Sequence, residues 1–358
     1  MPIKIILLVF CLCGLLFIAT CSPLNYRSDS GKYGNNGFDG EAKLKKEIFY
    51  YDDNMTSITK IICGELDSDP GLDIGIFDQF SLHILDLRGN VKSKIIFSWD
   101  NVGIIEPDIR IEQKGLFAIL ACSIGPFGVM DNYGKPIWTY KDSLAYQMTF
   151  GDLNKDNVPE YYLTRTDLIQ LDSRGHEIKK FGKFYFNDVK IYNPSNNYNS
   201  LVAALEHSGA IRFFDYSGNL VKEISPPKKL SAFEFSYWHN QDVIIGAAQQ
   251  SIYILDMKGG IIYQDELKNI NGSIANISVA PVRFYKDKRC LATLAEIISR
   301  TGHRQSLLSI VSPTDKVIYQ ELLKSSTGLA AVPCNVLNNE CLLVGDGSGK
   351  VIKYSLDQ

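Results

Sequence analysis

Short apolar runs, separated by Gly, Asn, Asp or Pro, recur along the chain from Lys45 onward. The runs are rich in β-branched and aromatic residues, and polar residues interrupt each of them before a helical period could be established. Short runs of this composition, bounded by turn-forming residues, predict β-strands. The pattern therefore predicts an all-β protein.

A turn signature of apolar run, Asp, two residues, Gly and a second apolar run repeats along the chain. The Asp side chain accepts backbone hydrogen bonds within such a turn, and Gly adopts the positive φ that the reversal requires. After five regular copies, a degenerate sixth copy around Ser312 follows a longer step of 56 residues, which predicts an insertion near ISRTGHRQ. The regular copies lie 45, 41, 43 and 41 residues apart, at Asp86, Asp131, Asp172, Asp215 and Asp256.

Each repeat contains two further apolar runs before its Asp, and so predicts four strands in about 43 residues, the size of one propeller blade. A seventh unit, ending in GKVIKYSLDQ, has only three runs, and KKEIFYYDD at residues 45–53 can supply the fourth. That pairing would protect two sheet edges from aggregation. We therefore expect a seven-bladed β-propeller of four-stranded blades over residues 47–358, with the N-terminal strand completing the last blade.

The N-terminus has the pattern of a targeting segment. A positively charged MPIK precedes an apolar run that is too short to span a membrane, which predicts a signal peptide over residues 1–20 and export. Residues 21–46 are rich in Gly, Ser, Asn and charge, and they predict a flexible tether.

The sequence IATC, Ile18–Cys21, resembles a bacterial lipobox, although Thr20 departs from the usual small residue. The resemblance implies that Cys21 is lipidated and anchors the protein to a membrane. Ser22 after the cysteine implies the outer membrane, with the protein facing the periplasm or the cell surface. The alternative is an ordinary cleaved signal peptide.

Two loops carry side-chain oxygens at alternate positions, each followed by an apolar run. This spacing lets a curled loop surround a hard cation such as calcium, which takes six to eight oxygen ligands. All ligands would come from one loop with no base or nucleophile beside them, so the role would be structural; the alternative is a solvated turn. The candidate ligands are Glu65, Asp67, Asp69 and Asp73 in the first loop, and Asp152, Asn154, Asp156 and Glu160 in the second.

These loops, GELDSDPGLDIGIF and GDLNKDNVPEYYLT, resemble FG-GAP/VCBS repeats, while DNYGKPIWTYK and DYSGNLVKEI resemble PQQ-like propeller repeats. The resemblance implies a propeller with calcium held between the first and second strands of a blade. Pro70 and Asn157 stand where such loops usually carry Gly.

Composition limits the partners. The chain has 37 basic and 40 acidic residues and no long basic block, so nucleic acid is not an expected partner.

Among the cysteines after Cys21, which are Cys63, Cys122, Cys290, Cys334 and Cys341, the last two flank LNNE and could be bridged across a hairpin. The alternative, favoured by composition, is that they are buried thiols.

No catalytic motif is evident: the five histidines are scattered, and GDGSGK near the end lacks phosphate-loop spacing and predicts a hairpin turn. We expect a non-catalytic, membrane-anchored scaffold with a protein partner and no organic cofactor. One alternative is an exported PQQ-dependent or lyase-type enzyme with Arg110, Arg165 or Arg283 at a channel mouth. The other is a cell-surface adhesion or ligand-binding protein.

Overall fold

A computed structural model describes residues 44–356, except 56, 79, 98–108, 114–115, 121–126, 132, 141–146, 165, 183, 197–198, 268–270, 286–287 and 335–338. The predicted signal peptide, Cys21 and the tether up to residue 43 lie outside these residues. The first strand begins at Leu44, so residues 44–46 of the predicted tether belong to it. The described part of the chain contains no helix that could cross a membrane.

The strands form seven antiparallel sheets of four, which confirms the seven-bladed propeller. Blades 1 to 4 contain β2 (Lys60–Gly64), β3 (Asp73–Phe77), β4 (Ser81–Leu85), β5 (Val91–Ile96); β6 (Ile109–Gln113), β7 (Leu116–Leu120), β8 (Phe127–Asp131), β9 (Pro136–Tyr140); β10 (Met148–Gly151), β11 (Glu160–Thr164), β12 (Leu168–Leu171), β13 (Glu177–Phe181); and β14 (Phe186–Tyr192), β15 (Leu201–Glu206), β16 (Ile211–Phe214), β17 (Leu220–Ile224). Blades 5 to 7 contain β18 (Ala232–Trp238), β19 (Gln241–Ala248), β20 (Ser251–Asp256), β21 (Ile261–Glu266); β22 (Ser273–Tyr285), β23 (Lys288–Ile298), β24 (Arg304–Val311), β25 (Val317–Lys324); and β26 (Leu329–Pro333), β27 (Glu340–Gly345), β28 (Lys350–Leu356), β1 (Leu44–Tyr51).

The first strands of successive blades contact one another from β6 through β10, β14, β18, β22 and β26 to β2, so these strands surround a central channel. Because neighbouring strands are antiparallel, the first and third turns of blades 1 to 6 and the first turn of blade 7 lie on one face, which we call the Asp-turn face. The first strands begin at the opposite face, which we call the entry face.

The hydrophobic core is divided among the junctions between blades. Each cluster of buried apolar side chains in the described residues takes members from two adjacent blades, and together the clusters occupy all seven junctions. Between blades 2 and 3, for example, Phe127 packs edge to face on Trp138 and Tyr161. The blades are thus held to one another by side chains, while hydrogen bonds hold the strands within each blade.

The repeated Asp turns have the predicted geometry. In blade 1, Oδ1 of Asp86 accepts hydrogen bonds from the amides of Arg88 and Asn90, and Gly89 has φ of 89°. In the degenerate blade 6, Ser312 takes the position of Asp, and Asp315 takes that of Gly with φ of 58°.

The insertion predicted near ISRTGHRQ accounts for part of the additional length of blade 6. There β23 and β24 pair as far as Ile298 and Arg304, and the amide of Gly302 donates to the carbonyl of Ser299 in a tight turn. The other additional residues lengthen β22 to 13 residues. Extra residues can join a strand because hydrogen bonding between β22 and β23 continues to the pair Tyr285 and Lys288.

The N-terminal strand completes the last blade, as predicted. β1 pairs with β28 from Leu44 opposite Leu356 to Tyr51 opposite Lys350. Tyr50 of β1 is buried with side chains of blades 7 and 1, so the strand also belongs to the core of their junction.

Candidate functional site

The first acidic loop contains a lysine ammonium group. Nζ of Lys92, from β5, lies 2.6 Å from Oδ2 of Asp67, 2.8 Å from Oδ1 of Asp73 and 3.7 Å from Oδ2 of Asp69. Hydrogen bonds to Asp67 and Asp73 raise the pKa of Lys92. Glu65 is exposed at the start of the loop. Because a charged side chain sits among these carboxylates, the first loop does not fit a calcium ion.

Asp73 is the buried member of this group, and its other oxygen, Oδ2, accepts a hydrogen bond from the amide of Leu66 at 3.0 Å. The carboxylate therefore holds both the loop backbone and Lys92. These ion pairs fix the loop to the outer strand β5 of the same blade, because the positive charge belongs to a side chain of that strand.

The second acidic loop is arranged differently. The two carboxylate oxygens of Asp152 accept hydrogen bonds from the amides of Asp156 and Asn157, at 3.0 and 2.7 Å. Asn154 Oδ1 also accepts from the amide of Asp156. The described residues place no lysine or arginine in ion-pair contact with Asp152, Asp156 or Glu160.

Glu160 begins β11 and is buried beneath this loop. Burial raises the pKa of its carboxyl group, and the neighbouring charges of Asp156 and Asp152 raise it further. Its Oε2 accepts the amide of Leu153 at 3.3 Å. The second loop therefore has a hard-oxygen donor set with crowded negative charge, which is compatible with a divalent cation. Nevertheless, no three Asp, Glu, His or Cys side chains among the described residues converge as a metal site requires.

A buried polar chain lies where β1 meets blade 1. The hydroxyl of Tyr50 is 2.7 Å from Nδ1 of His83, whose Nε2 is 3.2 Å from Oγ of Ser81. Ser81 donates to Asp78 at 3.0 Å, so a consistent arrangement has Nε2 protonated and Tyr50 donating to Nδ1.

Charged groups continue this chain at the Tyr50 end, where Nζ of Lys94 and the Asp52 carboxylate are 2.5 Å apart. Burial lowers the pKa of His83, and Lys94 lowers it further, while Asp52 opposes the shift. The seam between the first and seventh blades is thus hydrogen-bonded through a neutral histidine.

The remaining histidines lie in turns of four different blades. His176 and His207 lie in hairpin turns, as predicted, and GDGSGK forms the turn between β27 and β28. His239 contacts Asp315 of the next blade at 2.8 Å, which links the Asp-turn face of blades 5 and 6.

Cys334 and Cys341 form a disulfide with a Cα separation of 5.4 Å, so the alternative of two buried thiols is wrong. Composition could not show that the bridge forms, because it depends on how β26 and β27 pair. In their register Val332 lies opposite Cys341, which places Cys334, two residues later, at the end of the same hairpin. Cys63 and Cys290 are free thiols, and Cys122 lies outside the described residues.

The arginines proposed for the channel mouth are not brought together in the described structure. Arg165 and the side chain of Arg110 lie outside the described residues, and Arg283 lies in β22 with its amide donating to Glu340.

The entry face has a polar cavity of about 120 Å³ where the first strands of four blades begin. Its charged lining residues are Asp188, Glu296 and Arg304. No linear motif marks them, because they come from two blades that are far apart in sequence.

No protein-family model matches this sequence, and no curated protein sequence matches it. Solved structures with a similar fold include BBS1N in complex with ARL6DN, soaked with mercury, at a TM-score of 0.60 and 12% identity, covering 87% of this chain and 97% of that one. Raptor from Chaetomium thermophilum has a TM-score of 0.59 and 12% identity, covering 88% of this chain and 29% of that one. At such identities the similarity shows the propeller fold alone, so the propeller part of the family resemblance is confirmed.

Proposed function

We propose that this chain is a non-catalytic, membrane-anchored propeller of the bacterial envelope that binds a protein partner through its rim. The observation that carries the proposal is an exposed apolar patch between blades 1 and 2. Ile96 and Tyr133 are 75% and 77% exposed, the largest values among the described large apolar side chains. Ile137, 53% exposed, continues the patch on the outer strand β9.

The turn of blade 2 that carries Tyr133 rests on the outer strand of blade 1 that carries Ile96, and Ile137 follows on the outer strand of blade 2. A Cβ atom built at Gly134 would lie 3.2 Å from the carbonyl oxygen of Ile96. We call Ile96, Tyr133 and Ile137 the rim patch. Outer strands also leave one row of backbone groups unpaired, so an apolar residue on such an edge favours pairing with another protein. The similar BBS1N propeller was crystallised with a protein, ARL6DN, which accords with this type of function.

Two features support placement outside the cytoplasm. The N-terminal sequence resembles a lipoprotein signal ending at Cys21, and the disulfide between Cys334 and Cys341 is of a kind that persists in oxidising compartments.

Calcium belongs to this proposal at the second loop only. Asp152, Asn154, Asp156 and Glu160 would hold the ion after a rearrangement of the loop, because their carboxylates do not converge in this structure, and the ion would supply the positive charge that Lys92 supplies in the first loop. The ion would stabilise the hairpin between β10 and β11 and would carry no chemistry.

The test is capture of the tagged full-length protein from detergent-solubilised native membranes, with co-purified proteins identified and quantified by mass spectrometry. Wild type is compared with Ile96→Asp and Tyr133→Asp, and with Val221→Asp as a control, because Val221 is an exposed apolar residue on the outer strand β17, outside the rim patch. We expect a stoichiometric partner with wild type and the control, and at least tenfold less with either rim variant. Equal capture by all four proteins, or no stoichiometric partner with wild type, would overturn the proposal.

A further inference from the structure

The cavity at the entry face is built from separate blades. Its lining comes from the beginnings of the first strands of blades 3 to 6 and from the hairpin between the second and third strands of blade 6. A volume of about 120 Å³ corresponds to about four water molecules at their volume in liquid water, so a single sugar ring is the upper limit of what the cavity could enclose. The lining residues include Gln147, Asn187, Asp188, Ser231, Asn276 and Glu296.

Two β-bulges at equivalent positions shape this cavity. The register of β14 shifts between Phe186 and Asp188, and the register of β22 shifts between Ile274 and Asn276. At such a bulge two residues oppose one on the partner strand, which changes the direction of the side chains. Both bulges contribute consecutive residues to the lining, 187–188 in blade 4 and 275–276 in blade 6.

The two bulged residues are also held in the same way. Oδ1 of Asp188 accepts the amide of Val189, and Oδ1 of Asn276 accepts the amide of Ile277, each at 2.8 Å. These contacts limit the rotation of the two side chains. The same local distortion in two blades gives the cavity a pair of oriented polar groups, one on each side of blade 5.

The charges of the lining are compensated within the protein. Glu296 lies 3.3 Å from Nη1 of Arg304 and accepts a hydrogen bond from Ser325 at 3.0 Å. Asp188 lies 3.6 Å from Nζ of Lys190, which is itself 2.7 Å from Oε1 of Glu234. Because two cations stand beside these three carboxylates, the cavity does not present a strong field of a single sign.

We propose that this cavity binds a compact, electrically neutral, hydroxyl-rich ligand of the size of one sugar ring. Amide and carboxylate groups can both accept hydrogen bonds from hydroxyl groups, and the amide and guanidinium nitrogens can donate to them. The apolar part of the lining is limited to Ala232, Ala275 and Ile298, so an apolar ligand would remove the surrounding polar groups from water and offer them no hydrogen bonds in return. This site is on a different face and serves a different ligand from the rim patch, so either proposal can fail alone.

The test is ligand-observed saturation-transfer NMR and calorimetry on the full chain. The neutral probes are methyl β-D-glucopyranoside, N-acetylglucosamine and myo-inositol, and the charged probes are glutamate and putrescine. Asn276→Leu and Gln147→Leu change the lining from different blades, so one remains informative if the other does not fold. Arg304→Met has a matched control in Arg212→Met, because Arg212 pairs with Glu206 and Glu223 in the corresponding hairpin of blade 4.

We expect saturable binding of at least one neutral probe, weakened at least tenfold by Asn276→Leu, Gln147→Leu or Arg304→Met and unchanged by Arg212→Met. Saturable binding of only the charged probes would overturn the ligand class. Equal weakening by Arg304→Met and Arg212→Met would overturn the location, and no saturable binding of any probe would overturn the site.

Discussion

The ammonium group of Lys92 lies 2.8 Å from Oδ1 of Asp73, a buried carboxylate in a loop whose spacing predicts a calcium ligand set. The lysine supplies the positive charge that a calcium ion would have supplied. Because this charge is part of the protein, the negative charge of the loop is balanced at any calcium concentration. The two acidic loops of the propeller are therefore expected to respond differently to metal removal.

Lys92→Met should destabilise the protein and create a calcium response in the first loop. Removal of the cation leaves Asp67 and Asp73 without their partner, and we expect a loss of about 1–3 kcal/mol in the free energy of unfolding, below the value for a fully buried pair because Lys92 is partly exposed. Denaturant unfolding with calcium and with chelator measures both effects. Lys180→Met is the matched control, since its exposed pair with Glu177 should contribute less than 1 kcal/mol. Equal losses in the two variants would contradict the role of Lys92.

Glu160→Gln should remove the calcium response of the second loop. The pKa of Glu160 is raised, so the stability associated with its neutral form is lost as pH rises through the folded value above 4.5. At neutral pH the ionised carboxylate therefore needs a cation, whereas Gln does not. We expect calcium to raise the melting temperature of wild type but not that of the variant, as measured by differential scanning calorimetry. A calcium shift of the same size in both proteins would exclude Glu160 as a ligand.

His83 should make the seam between blades 7 and 1 sensitive to mild acid. Its pKa is lowered in the folded protein, so its contribution to stability is present above the unfolded value of about 6.5 and is lost as pH falls through the lower folded value. Each unit of lowering corresponds to about 1.4 kcal/mol. Unfolding free energies of wild type and His83→Gln between pH 8 and pH 5 should converge on acidification. His207→Gln, at an exposed turn, should follow wild type throughout, and a constant difference between wild type and His83→Gln would contradict the prediction.

The disulfide should stabilise the seventh blade. For the short loop between Cys334 and Cys341, with a separation of seven residues, the entropy model gives about 2–3 kcal/mol. The Cys334→Ala/Cys341→Ala double variant should therefore unfold at lower denaturant concentration than wild type. Reductant should lower the stability of wild type by a similar amount and leave the double variant unchanged. A further loss in the reduced double variant would show that reductant acts elsewhere.

The fold could be predicted from sequence because its signals are local. Each Asp turn is complete within five residues, as in Asp86 to Asn90, and the steps between turns count the blades directly. The missing strand of the last repeat likewise pointed to β1. In contrast, Lys92 reaches its loop from 19 residues beyond Asp73, across the width of a blade.

The entry-face cavity could not be predicted for a related reason. Asp188 and Asn276 line it because of two bulges, and no residue type in the sequence distinguishes a bulged position from a regular one. Arg304 and Glu296 meet only through the register of β23 and β24. The site forms where side chains of several blades meet. The sequence repeat predicts the strands of each blade but does not show which residues of different blades lie together.

The pairing of β1 with β28 also imposes an order on synthesis and folding. β28 begins at Lys350, about 300 residues after β1 ends at Tyr51. β1 therefore has no partner strand until the last blade is available, in whichever compartment the chain folds. A propeller that has not yet paired β1 with β28 is an open ring with two unprotected sheet edges, and a chaperone that covers isolated strands would act longest on β1.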